Sequence, residues 1–274
     1  GALAIRSGGQ VEAPSVGVNY RSLLSIDVGH GSLLTVGGGS GDLTNNGTVR
    51  ILANAGVPAG EQYVPIAAGR WLGSIGKYQA VGGTWDSGAR QFTASVVQSG
   101  VSGSPVQIDL AQRQRVFVTD SATGWQVGAS FLASASTNWL TVTATAITGS
   151  IRSALESQLS LGETLYGGWL FTTTGSFALN DPAYLSFHTG SINVAQCPLR
   201  VWRYQQGGGW ALVEPADLNY ADPYASFTTT MGTLHGYGYA VTSLDPPAGG
   251  PIGQGEAEGP FGLAAAPSEP SSRS

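Results

Sequence analysis

The chain has 274 residues and a net charge of −5; 41 residues are Gly, and Gly, Ser (29) and Thr (22) together make about a third of it. Only 11% are charged, against about a quarter in ordinary globular domains, and one Lys (Lys77) faces 11 Arg. The absence of any basic block excludes a dedicated nucleic-acid surface, the 42% hydrophobic content excludes full disorder, and the longest uncharged stretch, 121–151, is too rich in Ser, Thr and Gly to span a membrane.

Good helix formers are scarce, with one Lys, one Met and eight Glu, whereas Thr, Val, Tyr and Trp recur on a Gly-rich background. The expected class is all-β: a β-sandwich, a tandem β-sandwich or a short β-solenoid, with one short helix near 151–161. Residues 1–20 read as an extended arm outside the main core. In it Ala2, Ala4, Val11, Val16 and Val18 offer small apolar knobs, a candidate donor strand and subunit interface. Residues 21–100 read as a β-rich domain or half, opening with RSLLSIDV and HGSLLTV on either side of Gly29-His30-Gly31. Asn46-Gly47 signals a type I′ hairpin, since both residues tolerate positive φ. This explains Asn46-Gly47-Thr48 better than a glycosylation acceptor does. A seam near 97–106 leads into a β-sandwich over 101–244.

In WLTVTATAIT (139–148), Leu140, Val142, Ala144 and Ala146 fall on one face and Trp139, Thr141, Thr143 and Thr145 on the other. IRSALESQLSL (151–161) places Ile151, Leu155 and Leu159 at helical spacing, with Gly162 to end the helix. Strands resume in LYGGWLFTTTG, YLSFHTG, LRVWRYQ, GWALVE, YASFTTT and YGYAVTS. The tail, 245–274, holds six Pro and six Gly and cannot build a core of its own. Residue 1 is Gly and the only Met is Met231. This fits a processed form that has lost a secretory signal, or a trimmed piece of a longer chain.

Little in the sequence points to catalysis. Cys197 is alone, so there is no internal disulfide or CxxC site; a small buried hydrophobe is the favoured role. There is no GxSxG elbow, no phosphate loop, no HExxH and no paired-His spacing among His30, His188 and His235. The Glu and Asp are scattered, without the pairing that glycoside hydrolysis needs. The expectation is a non-enzyme with no catalytic residue, no bound metal and no cofactor; a calcium held by scattered Asp side chains and carbonyls is the one alternative left open.

Two stretches carry a resemblance. LTNNGTVRILANAGVPAGEQYVPIAAGRWLGSIGKYQAVGGTWDSGARQFTAS (43–95) resembles a segment of bacterial surface proteins related to autotransporter-associated β-strand repeats. PLRVWRYQQGGGWALVEPADLNYADPYASFTTTMGTLHGYGYAVT (198–242) resembles their C-terminal block. In the second, the matching positions are Trp202, Tyr204, Trp210, Asp217, Leu218, Tyr220, Tyr224–Phe227 and Gly238–Ala240. The resemblance covers about a third of the chain. It implies an exported, β-rich envelope protein of a class often anchored by a PEP-CTERM segment, and it transfers no catalytic residue. The hydrophobic span and basic tail of such an anchor are not found here, which leaves the anchoring mode unassigned.

Ordinary domains protect sheet edges with Lys and other charges, and one Lys defends few edges. The function expected is therefore an extracellular structural subunit that self-assembles into a filament, sheath or surface layer by exchange of its N-terminal strand. Its partner would be itself, with cell-surface or matrix polysaccharide as a further candidate. The alternative is a secreted carbohydrate-binding or adhesin module using Trp202, Tyr204 and Trp210.

Overall fold

The computed structural model describes residues 1–6, 8–73, 76–112, 114–134, 138–194 and 198–244, and the statements below concern those. The Pro/Gly-rich tail 245–274 and Cys197 lie outside them. The protein is all-β, and its first third is a stacked, three-sided parallel β-solenoid.

The first coil consists of β1 (Ala2–Ile5), β2 (Gln10–Ala13) and β3 (Ser15–Val18), and the second of β4 (Leu23–Asp27), β5 (Leu33–Val36) and β6 (Asp42–Asn45). The third holds β7 (Thr48–Leu52), β8 (Gln62–Tyr63), β9 (Ile66–Ala67) and β10 (Arg70–Leu72), and β11 (Lys77–Val81) opens a fourth. Each side is a parallel sheet: β1-β4-β7-β11, β2-β5-β9 and β3-β6-β10. In-register pairing stacks like on like: Leu3, Leu24 and Val49 form one inward ladder, and Ile5, Ile26 and Ile51 the next. Alternation sends these side chains inside and their neighbours to the outer face. The interior is filled by Leu24, Ile26, Leu34, Leu43, Val49 and Ile51 among others.

Two expectations are corrected here. Residues 1–20 are not an arm: β1, β2 and β3 pair with β4, β5 and β6, and the Arg6 guanidinium donates to the Leu218 carbonyl of the second domain. The short apolar runs that read as free knobs are one coil's share of a core that only stacking completes. Nor is Asn46-Gly47 a hairpin, because β6 and β7 belong to different sheets. The segment is a solenoid corner. The buried Asn45 carboxamide accepts from Gly47 N–H at 3.1 Å, and a Cβ on Gly47 would stand 2.3 Å from Asn19 O and 2.6 Å from Ser22 O of the preceding corner. Glycine is required there by the approach of two backbones, not by positive φ.

β12 (Gly83–Asp86) and β13 (Gln91–Ala94) form a hairpin that takes up β8 and leads to the sandwich. The sandwich contains β14 (Val97–Val101), β15 (Pro105–Asp109), β16 (Arg115–Thr119), β17 (Gln126–Phe131), β18 (Trp139–Ala146) and β19 (Glu163–Gly175). It continues with β20 (Pro182–His188), β21 (Leu199–Gln205), β22 (Gly209–Val213), β23 (Asn219–Ala221), β24 (Tyr224–Thr230) and β25 (Tyr237–Leu244). Helix α1 (Gly149–Glu156) follows β18, and a single-turn α2 (Met231–Leu234) follows β24. Helix α1 starts two residues earlier and ends sooner than the spacing of 151–161 predicts, with Ser157–Leu159 closing in turns. The two six-stranded sheets run β14-β16-β17-β20-β24-β23 and β15-β18-β19-β25-β21-β22. Their facing sides bury Leu140, Val142, Phe171, Leu185, Phe187, Phe227 and Val241.

The outer face of each sheet is covered in part. Over the second lies α1, packed on Trp202, Trp210 and Ala240. Over the first lies the solenoid, joined by a buried polar seam. Arg115 of β16 donates to the carbonyls of Asn54 (2.9 Å), Val57 (2.6 Å) and Ser95, and Ser130 Oγ to Ala53 O at 2.7 Å. The buried Asp27 of β4 receives Tyr184 Oη at 2.9 Å and Asn219 Nδ2 at 2.8 Å on Oδ2, and Gly29 N–H at 2.8 Å on Oδ1. Leu52, Val81 and Tyr184 supply the apolar part.

Candidate functional site

The first coil stands at one end of the described solenoid. Among the described residues β1, β2 and β3 each pair on one side only, so three four-residue strands present unpaired backbone donors and acceptors at the same end of the molecule. The apolar ladders stop there too. Leu3 is 52% exposed, although Leu24 and Val49, one and two coils further in, are 2% and 0% exposed. Val11 and Val16 are half-buried, while their stacking partners Leu34 and Leu43 are fully buried. A recess of about 240 Å³ opens between β1 and β3, lined by Ala2, Leu3, Val16, Val18, Leu23 and Leu24. Here charge on the coil is confined to Arg6 and Glu12.

All five residues expected at a subunit interface lie on this coil: Ala2 and Ala4 on β1, Val11 on β2, Val16 and Val18 on β3. Their side chains do not all face outward. Val18 is buried in the solenoid core, and Val11 and Val16 pack against it. Leu3 belongs to the same end and was not singled out from the sequence. Its signal is the spacing of apolar pairs: the chain advances 21, 25 and 29 residues from Ala2 to Leu23 to Thr48 to Lys77, an irregular period that hides the repeat.

The expected sugar-binding aromatics are placed otherwise. Trp202 is 7% and Trp210 6% exposed. Trp202 Nε1 donates to Thr242 Oγ1 at 3.0 Å and Trp210 Nε1 to Ile151 O at 2.9 Å, with the Tyr204 ring 5.2 Å from that of Trp210. Helix α1 covers them, so they are core rather than a platform. A second aromatic group, Trp71, Tyr78 and Trp85, lies half-buried on the solenoid with ring centroids 5.6–5.9 Å apart. Tyr78 and Trp85 stack on each other, and the Arg90 guanidinium sits 5.1 Å over Trp71.

His188 packs edge-on to Tyr224, and His235 Nδ1 lies 3.3 Å from Thr173 Oγ1. Among the described residues no group of three His, Cys, Asp or Glu could hold a metal, and no helix is long and apolar enough to cross a membrane. Comparison with protein-family models, curated proteins and solved structures finds no match.

Proposed function

We propose that the chain is an extracellular structural subunit that associates with copies of itself through the open first coil of its solenoid, building a filament, sheath or surface layer, and that it carries no catalytic activity. The observation behind this is the Leu3–Leu24–Val49 ladder, shielded everywhere except at its end, beside three unpaired strand edges. A second copy laid on that end supplies hydrogen-bond partners for the backbone and covers the apolar residues at once. Burial of Leu3 and the remaining surface of Val11 and Val16 contributes about 2–3 kcal/mol in hydrophobic transfer, to which the strand hydrogen bonds add.

Contact between two first coils is two-fold and closes as a dimer. Contact between a first coil and a sandwich edge of another copy repeats without closing. The edge strand β22 carries an exposed Leu212, which favours the open arrangement. The low charge of the surface and the resemblance to envelope proteins support an exported location. Sedimentation velocity and negative-stain microscopy of the purified chain and of Leu3→Lys/Val16→Lys test the reading. Concentration-dependent assembly that the double variant abolishes is expected. A monodisperse monomer indistinguishable from the variant at all concentrations overturns it.

A further inference from the structure

A recess of about 280 Å³ lies where the rim of the sandwich meets the solenoid. We infer that it is a binding site for a neutral pyranose unit of a saccharide. This goes beyond the assembly reading and does not depend on it.

The lining comes from both domains. Arg50 reaches in from β7 of the solenoid, Arg203 from β21, Glu214 from the segment after β22, and Thr228–Thr230 from β24. The volume is at the lower end for small-molecule sites, and a domain junction is where such sites recur. Some of its polar groups are without a partner. Among the described residues neither Arg203 nor Glu214 makes an ion pair or a hydrogen bond, with each other or with any other group; the Arg203 guanidinium only lies 5.5 Å over the Tyr237 ring. Arg50 gives Nε to Gln79 Oε1 at 2.9 Å, and no bond from its terminal nitrogens to a described residue is found. Thr228 Oγ1 is shielded from solvent without a partner, and Thr229 Oγ1 meets Tyr239 Oη at 2.7 Å. An unmet buried hydroxyl is costly unless something comes to satisfy it.

Charge and chemistry choose the ligand class. Arg50 feels Asp217 behind it, a carboxylate that holds Thr228 N–H at 3.0 Å. Arg203 and Glu214 both line the same recess. With Asp217, which acts on Arg50 without lining the recess, the formal charges of the two Arg and the two carboxylates sum to zero and favour no charged ligand. The lining does offer strong donors and a strong acceptor, and the threonine hydroxyls can serve as either. A ring of vicinal hydroxyls, each both donor and acceptor, matches that set. The apolar part of the lining, Val213, Pro215 and the edges of Phe227 and Tyr239, suits the C–H face of a pyranose.

Saturation-transfer NMR tests the inference, with glucose, galactose, mannose and N-acetylglucosamine as neutral probes and glucuronate and sulfate as anionic ones. At least one neutral sugar is expected to receive saturation. Its affinity should fall about tenfold or more in Arg203→Ala and in Glu214→Ala, the size of a lost hydrogen bond to a charged group. Glu214 is exposed and holds nothing in the fold, so that variant separates binding from folding; near-ultraviolet dichroism confirms both variants are native. No transfer to any neutral probe, transfer confined to glucuronate or sulfate, or affinities unchanged in both variants would overturn it.

Discussion

Arg115 is the test of how the two domains are joined. It is fully buried, and burial pushes its guanidinium down from 12.5 to about 10. At about 1.4 kcal/mol per pH unit, that difference puts the cost of keeping the charge in the fold at about 3 kcal/mol. Against it stand three hydrogen bonds from a charged donor to the carbonyls of Asn54, Val57 and Ser95, each worth about 1.5–3 kcal/mol. The bonds win by a few kcal/mol. Arg115→Met keeps much of the volume and removes the desolvation cost, but leaves the Val57 and Ser95 carbonyls without this donor and Asn54 O with only the Val57 N–H at 3.3 Å; the expected loss is about 2–4 kcal/mol. Arg115→Ala adds a cavity and about 1–2 kcal/mol more. The acceptors belong to the solenoid and to the segment leaving it, while the donor belongs to the sandwich, so the loss should fall on their coupling. Calorimetry and urea unfolding are expected to give one transition for the natural protein and two for Arg115→Ala. A single transition in Arg115→Ala, within about 1 kcal/mol of the natural protein, would refute the reasoning.

Other outcomes follow from single sites. Burial tends to raise the Glu163 carboxyl, but hydrogen bonds from Thr242 Oγ1 and Ser160 N–H, with Arg200 alongside, more than offset it and hold it below 4.5. A carboxyl lowered by folding adds stability above its unfolded value and loses it as pH falls through the folded one, so Glu163→Gln should destabilise at pH 7, with the difference from the natural protein closing in urea titrations as the pH falls through the lowered value. Gly47→Ala forces a Cβ to 2.3 Å from Asn19 O; a loss of at least about 2 kcal/mol is expected in thermal unfolding, whereas a hairpin turn would tolerate Ala better. Trp210→Ala removes a buried ring beneath α1 and should cost about 3–5 kcal/mol, read by chemical denaturation.

Where one strand face met water and the other the core, the sequence was readable. β21 and β24 span the residues expected of them, and Leu140, Val142, Ala144 and Ala146 are buried while Trp139 is exposed. The solenoid was harder to read, because parallel coils draw their core from residues 21–29 apart rather than from neighbours in the chain. Four-residue strands such as QVEA and SVGV look like loop until stacked. The same long-range pairing misled the reading of Asn46-Gly47, whose local chemistry suits a hairpin but whose flanking strands lie on different sides of the coil. Trp202 and Tyr204 share a strand face, as a platform would; the packing of α1 buries Trp202 and leaves Tyr204 half-buried. The recess at Arg50, Arg203 and Glu214 joins residues more than 150 apart, and no local pattern announces it.

Hydrogen exchange of the backbone amides of β1, β2 and β3, followed as protein concentration rises, tests the central claim most directly. If copies meet at the first coil, those amides become protected as assembly proceeds, while the interior coils and the sandwich, already protected, change little. Rapid exchange along all three strands in fully assembled material, with new protection confined to another surface, would contradict it.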